Sequence, residues 1–350
     1  MVTDLDERNQ KVLKAIVLSY IRTAYPVGSR SLTQAFDFGL SPASIRNIMA
    51  DLEEMGFLSQ PHSSAGRVPT EKGYRFYVNG LLGEIVRERS TEDLEIDQYR
   101  LHKTEDIKEL LQETSRLLSM HSHYAGIVLT PKLANMFFQH LQFIKLRRNH
   151  VLTVFVSTEG LIQTKGIETD KDFSQQELDR FSAFLNDRFK GISLQEIKAT
   201  LLNQMQEDKE QYSRLLQKAL DLVNKAFQDA QGEATGEELF LEGTTNILDL
   251  PEFSNVEKMK ALFKTFEEKY IMMKLLDTCF NSEGIQVFIG SENTFLGIKD
   301  CSLVITNYKR GSQVLGALGI IGPTRMEYSK VIPLVDYTAK LLNQALAETD

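Results

Sequence analysis

Arg46 and Asn47 are neighbours near the start of an amphipathic stretch, and both carry side chains suited to reading base-pair edges. Arginine meets guanine through its planar fork of donors, and asparagine meets adenine through its amide. Ala43 and Ala50 share that face and Ser44 flanks it, so the surface is small enough to approach a groove closely. A second polar set follows at His62, Ser63, Ser64 and Arg67. Small residues from Ser63 to Gly66 leave backbone N–H groups free to meet a phosphate oxygen, while Arg67 supplies charge. His62 has no companion ligands at zinc spacing and reads as a polar or phosphate-facing side chain. Arg30 lies in the turn Val27-Gly28-Ser29-Arg30 ahead of both sets.

These residues need particular elements to hold them. Ser41 is an N-cap residue, and Pro42 suits the first helical position, where an amide hydrogen is not needed. Ile45, Ile48, Met49 and Leu52 recur at helical spacing and form one inward stripe, and Gly56 stops the helix. On this stretch alone an ordinary surface helix is an equal reading. The flanks change the balance. Residues 7–25 form a helical pattern ended by Pro26, and Ser31 caps a short helix over 32–36. Residues 57–60 and 67–69 read as two short strands around the Pro61–Gly66 tip, and Thr70 caps the next helix. Helix, short helix, turn, second helix and hairpin make a winged helix-turn-helix, a DNA-binding design.

The strings Val27-Gly28-Ser29-Arg30, Ser41-Pro42-Ala43-Ser44-Ile45-Arg46-Asn47 and Met49 to Gly56 resemble the heat-inducible transcription repressor HrcA family of bacteria, as does Gln60 to Arg75. The resemblance is strongest over residues 1–80, and Ile48, which faces inward by helical phase, departs from the usual acidic residue. It implies a homodimer on an inverted-repeat operator ahead of chaperone operons. It also implies relief on heat shock and support of the active repressor by the GroEL chaperonin. For the rest of the chain it implies a GAF-like domain interrupted by a dimerising insertion.

Beyond residue 80 the sequence reads as α+β. Residues 83–106 are half charged and form a linker or a solvated connecting helix. Strands are expected at 124–130, 142–146, 151–156 and 161–167, and again at 285–289, 302–308 and 313–321. Between them lie helical segments at 176–189, 194–202 and 209–227, a short strand at 239–241 and a helix over 255–280; a helix over 328–347 closes the chain. One mixed sheet built from 124–167 and 285–321, interrupted by helices, accounts for this order. The expected domains are 1–80 (DNA-binding head), 81–106 (charged linker), 107–170 with 251–350 (GAF-like) and 171–250 (dimerising insertion, with Gln176 to Phe227 as the pairing surface).

Enzyme chemistry finds little support. Gly316 to Gly322 follow G-x-x-G-x-x-G, which is neither phosphate-loop fingerprint and lies in an apolar strand, so close backbone packing is the better reading. His121 and His123 would share a face on a strand but lack a third ligand nearby, and Cys279 sits on an apolar helical face. With two cysteines there is no disulfide framework, and no cofactor or metal is expected. No apolar run reaches the roughly 18–20 residues of a membrane span, and the acidic N-terminus lacks a signal-peptide pattern, which points to the cytoplasm. The net charge of −8 is unevenly placed: residues 1–80 hold nine Lys/Arg against eight Asp/Glu, so the acidity lies elsewhere. The rival reading is a winged-helix regulator controlled by a small molecule in the sheet domain.

Overall fold

The computed structural model describes residues 5–87, 106–131, 136–158, 160–193, 196–197, 222, 225, 238–248, 250–267, 284–292, 300–311 and 313–347. Apart from residues 196, 197, 222 and 225, the expected helices at 194–202 and 209–227 lie outside these residues, as do most of the charged linker, the second half of the 255–280 helix and Cys279.

The chain opens with α1 (Glu7–Thr23), α2 (Ser29–Ala35) and α3 (Pro42–Glu54). A short antiparallel hairpin follows, β1 (Leu58–Ser59) and β2 (Val68–Pro69), then α4 (Glu71–Arg87). Asp6 caps α1 by accepting from Asn9 N at 2.7 Å. Leu13, Ile16 and Val17 of α1, Leu32 of α2, Ile45, Met49 and Leu52 of α3 and Val78 of α4 close one apolar core. Ile48 is half-buried and packs against its edge. One expectation is corrected here. The helix α2 starts at Ser29, with Gly28 as its cap residue, and Ser31 instead donates back to the Gly28 carbonyl at 2.8 Å. Arg30 therefore belongs to the first turn of a helix.

In the body, α5 (Ile107–Ser122) leads to β3 (Ala125–Leu129). Next come β4 (Phe138–Arg147), β5 (His150–Ser157), β6 (Ile162–Glu168) and α6 (Gln175–Phe189). After the break come β7 (Leu239–Glu242), α7 (Thr244–Leu248) and α8 (Val256–Glu267), then β8 (Gln286–Ile289), β9 (Cys301–Arg310), β10 (Gln313–Pro323) and α9 (Tyr328–Ala347).

These strands do not form one mixed sheet. Among the described residues, β7-β3-β10-β9-β8 make a five-stranded sheet and β4-β5-β6 a separate three-stranded one, and every pairing is antiparallel. Strands 138–168 thus pair among themselves, while the short strand near 240, expected inside the insertion, is an edge of the larger sheet. Both faces of the larger sheet are covered. Val128, Val304 and Leu318 pack on α5 and α9, whereas Ile127, Ile305 and Ile321 face Ile247, Phe253, Leu262 and Phe266. Gly316 and Gly319 sit where a Cβ would drive into Leu129 O and Val304 O, so the glycine pattern there serves close strand packing.

The small sheet is one layer thick. Its inner face buries Leu141, Phe143 and Phe155 against Leu178, Phe181 and Leu185 of α6. The helix also closes the free edge of β4. Asn186 exchanges hydrogen bonds with Leu141 N and O at 2.8 and 3.0 Å, and Ser182 accepts from Phe143 N at 3.0 Å. An edge so capped offers no unpaired backbone to another strand there.

Candidate nucleic-acid interface

Helix α3 begins as its sequence requires: Ser41 Oγ accepts from Ser44 N at 3.1 Å, and the two hydroxyls lie 3.0 Å apart. With Ile45, Met49 and Leu52 buried, the opposite face is set by helical geometry. Ser41, Ala43, Arg46, Asn47 and Ala50 are exposed there, and Ser44 is half-buried. Arg30 is exposed on α2. No hydrogen bond or ion pair joins the side chain of Arg30, Arg46 or Asn47 to another described residue, so their side-chain donors are open to a ligand.

The loop between β1 and β2 is held from within. Gln60 donates its amide to Ser63 O at 3.0 Å and to Ala65 O at 2.9 Å, and Ala65 N bonds His62 O at 2.8 Å. His62, Ser63 and Ser64 are left exposed at the tip. The base of the hairpin is tied to the turn before α2, where Val27 and Arg67 exchange backbone hydrogen bonds of 2.8 and 2.9 Å. Gly66 is required at that crossing, since a Cβ would collide with the Val27 carbonyl.

Arg67, expected to supply charge to a phosphate, already has an acidic neighbour within the fold. Its side chain is one-fifth exposed, and Nε lies 2.7 Å from Glu53 Oε2 of α3. The Nε–H is not aimed at that oxygen, so the contact is an ion pair rather than an aligned hydrogen bond. As a phosphate ligand Arg67 would first have to leave Glu53. Three other residues hold this surface together though no local spacing in the sequence assigns them that part: Glu53, Gln60, and Lys72, which donates to Met55 O at 2.8 Å and lies over the Phe57 ring.

His121 and His123 are not on a strand. His121 is in the last turn of α5 and His123 is its left-handed C-cap, with φ of 59°. Among the described residues no cluster of metal-ligating side chains occurs. Cys301 is buried in the larger sheet, and burial first, then Asp300, pushes its thiol up to about 12, so it stays protonated near neutral pH.

Residues 108–332 match the family described as HrcA protein C terminal domain. A heat-inducible transcription repressor HrcA of Geobacter sulfurreducens is 45% identical over 348 residues, covering 99% of this chain and 99% of that relative. The chain belongs to the HrcA family. Another HrcA repressor, from Syntrophobacter fumaroxidans, is 41% identical with 99% of both chains covered. HrcA membership therefore rests on the whole length, head included, and it places the chain among heat-inducible transcription repressors. A crystal structure of a hypothetical protein at 2.2 Å shares the fold, with a TM-score of 0.66 and 21% identity over 99% of this chain and 100% of that one. No described helix is long and apolar enough to cross a membrane.

Proposed function

We propose that this HrcA-family chain is a cytoplasmic, sequence-specific DNA-binding repressor of chaperone operons. Residues 1–80 act as a winged helix-turn-helix, with α3 as recognition helix and the β1–β2 loop as wing. Arg46 and Asn47 read base edges, and Ala43 permits the close approach. Arg30, Ser41, Ser44, His62, Ser63 and Ser64 contact the backbone, and Arg67 anchors the wing to α3. The observation that carries this reading is the exposed, unpartnered pair Arg46 and Asn47 on the outward face of a capped, well-packed helix.

The five-stranded sheet, with helices on both faces, supports a GAF-like body. That body is then made of residues 107–131 and 238–347, and the small sheet with α6 belongs to an insertion that starts earlier than residue 171. We assign homodimerisation to that insertion. Two heads so joined bind an inverted repeat, because two-fold symmetry in the protein is matched in the site. The second contact is then intramolecular and can raise affinity on the order of 10²–10⁴-fold. Heat relieves repression when the GroEL chaperonin, occupied by unfolded proteins, no longer keeps the repressor competent.

Footprinting on promoters of chaperone genes, with the full chain, tests this. Protection of an inverted repeat, with a footprint twice that of one head, is expected. Equal affinity for that promoter and for random DNA at the same salt would refute it.

A further inference from the structure

The strand β8 is the end of the five-stranded sheet, and its outer edge has no neighbouring strand among the described residues. That edge offers the Val287 carbonyl and the Ile289 N–H. Arg75, on helix α4 of the head, donates to Val287 O at 2.6 Å. Glu292 accepts from Ile289 N at 2.8 Å. Arg75 and Glu292 also pair with each other in a two-pronged contact, Nε to Oε1 at 2.9 Å and a terminal nitrogen to Oε2. Guanidinium and carboxylate together give the edge a donor and an acceptor, which is what a further strand would supply.

The same face of α4 makes other ties. One turn before Arg75, the Glu71 carboxylate accepts from Ser291 N at 2.8 Å and from the Ser291 hydroxyl. Gly290, with φ of +52°, lies where a Cβ would strike that carboxylate. Between them Tyr74 packs on Tyr328 of α9 with ring centroids 6.1 Å apart. The helix α4 is also fixed to the end of α3, through Lys72 on Met55 O, Thr70 on Gly56 O at 2.7 Å and the edge contact of Phe57 with Phe76. A tilt of α4 on the body is therefore a tilt of α3.

We propose that Arg75 is a positioning residue for DNA recognition: by closing the open edge of β8 together with Glu292, it sets the angle at which the body presents α3. This rests on the DNA-binding reading above. It follows that two heads in a dimer have a preferred separation, and that Arg75 maintains it without touching DNA.

The test uses full-length protein on three duplexes: the protected inverted repeat, the same repeat with its half-sites moved apart by about five base pairs, half a helical turn, and a single half-site. Arg75→Ala should lose on the order of 10-fold on the native repeat, within the range that linking two heads supplies. Its half-site affinity should stay within about twofold, and it should discriminate less between the two spacings than the parent does. Arg75→Lys, which keeps charge but not the two-pronged geometry, should fall between. Hydrogen exchange is measured in parallel, and the amides of residues 286–289 should exchange faster in Arg75→Ala and Glu292→Gln. Unchanged spacing preference in Arg75→Ala would overturn the proposal. So would unchanged exchange at 286–289, whatever the DNA shows. Should Arg75→Ala not fold, Ser291→Ala, which removes one hydroxyl from the same junction, must show the same reduced spacing preference, or the proposal fails. Parent protein that does not distinguish the repeat from random DNA sinks the DNA-binding reading, and the positioning role with it.

Discussion

Two groups of arginines in this molecule are of one type chemically and opposite in use. Arg30 and Arg46 stand on exposed faces of α2 and α3, and their guanidinium groups have no partner among the described residues. Arg67, Arg75 and Arg325 each hold a carboxylate, from Glu53, Glu292 and Glu252 respectively. The second group lies at joints: hairpin to α3, α4 to the larger sheet, and body to α1, where Arg325 also donates to Ile21 O at 3.2 Å. A head with nine basic and eight acidic residues looks nearly neutral, but that count mixes cations neutralised inside the fold with cations left for a ligand. Phosphate attraction is local, so the cations left for a ligand decide binding.

If that division is right, stability and DNA binding should respond to different arginines. The largest effect is expected at the joint between body and α1. Arg325→Ala leaves Glu252 charged and largely enclosed; the two side chains are 15% and 25% exposed. Breaking a fully buried pair costs about 3–5 kcal/mol, and partial access to water should lower this to about 2–3 kcal/mol. Arg46→Ala should change stability by no more than about 0.5 kcal/mol. Urea unfolding of both variants checks this, and equal destabilisation would erase the distinction.

On DNA the order should reverse. Arg46→Ala should lose about 1–3 kcal/mol of discrimination between operator and random sequence, while Arg325→Ala, at temperatures where it is folded, should retain it. Arg67→Ala tests the boundary between the groups. As an anchor it should weaken binding to all sequences while leaving the salt dependence nearly intact. A fall of about one unit in the salt slope would instead return Arg67 to the phosphate contacts.

That boundary is also where the sequence stops being readable. Helix α3 was legible because Ser41, Pro42 and the stripe of Ile45, Met49 and Leu52 are local signals. So was the hairpin, from small residues between two short apolar runs. Two sheets in place of one were not legible. Alternation tells which face of a strand is buried but not which strand it meets, and β3 finds its partners at 239–242 and 313–323, far along the chain. The start of α2 was missed because Gly28 gives no side-chain cap. The pairings of Arg67 with Glu53 and Arg75 with Glu292 have no spacing signature either, since they join residues on different elements. The outward face of α3 could be read from one helix, whereas its mounting depends on contacts that only the assembled fold defines.

The smallest expected effect concerns pH, and it separates body from head once more. His121, in the last turn of α5, has its pKa lowered, by burial first and by the charge of His123 second. The unfolded value is about 6.5, so between that pH and the lower folded value the unfolded chain binds more protons. The contribution to stability is therefore fully present above the unfolded value and is lost as pH falls through this window. The side chain is half-buried at the helix end and keeps some access to water, which should hold the effect under about 1 kcal/mol. Thermal midpoints of the parent and His121→Gln, compared at pH 7.5 and 5.0, isolate it: the parent should drop slightly more on acidification than the variant. The α3 face is on another unit, so His121→Gln should leave the ratio of operator to random-DNA affinity unchanged across the same range. A ratio that shifts with this substitution would mean that titration in the body reaches α3, and the separation between the two arginine groups would then be incomplete.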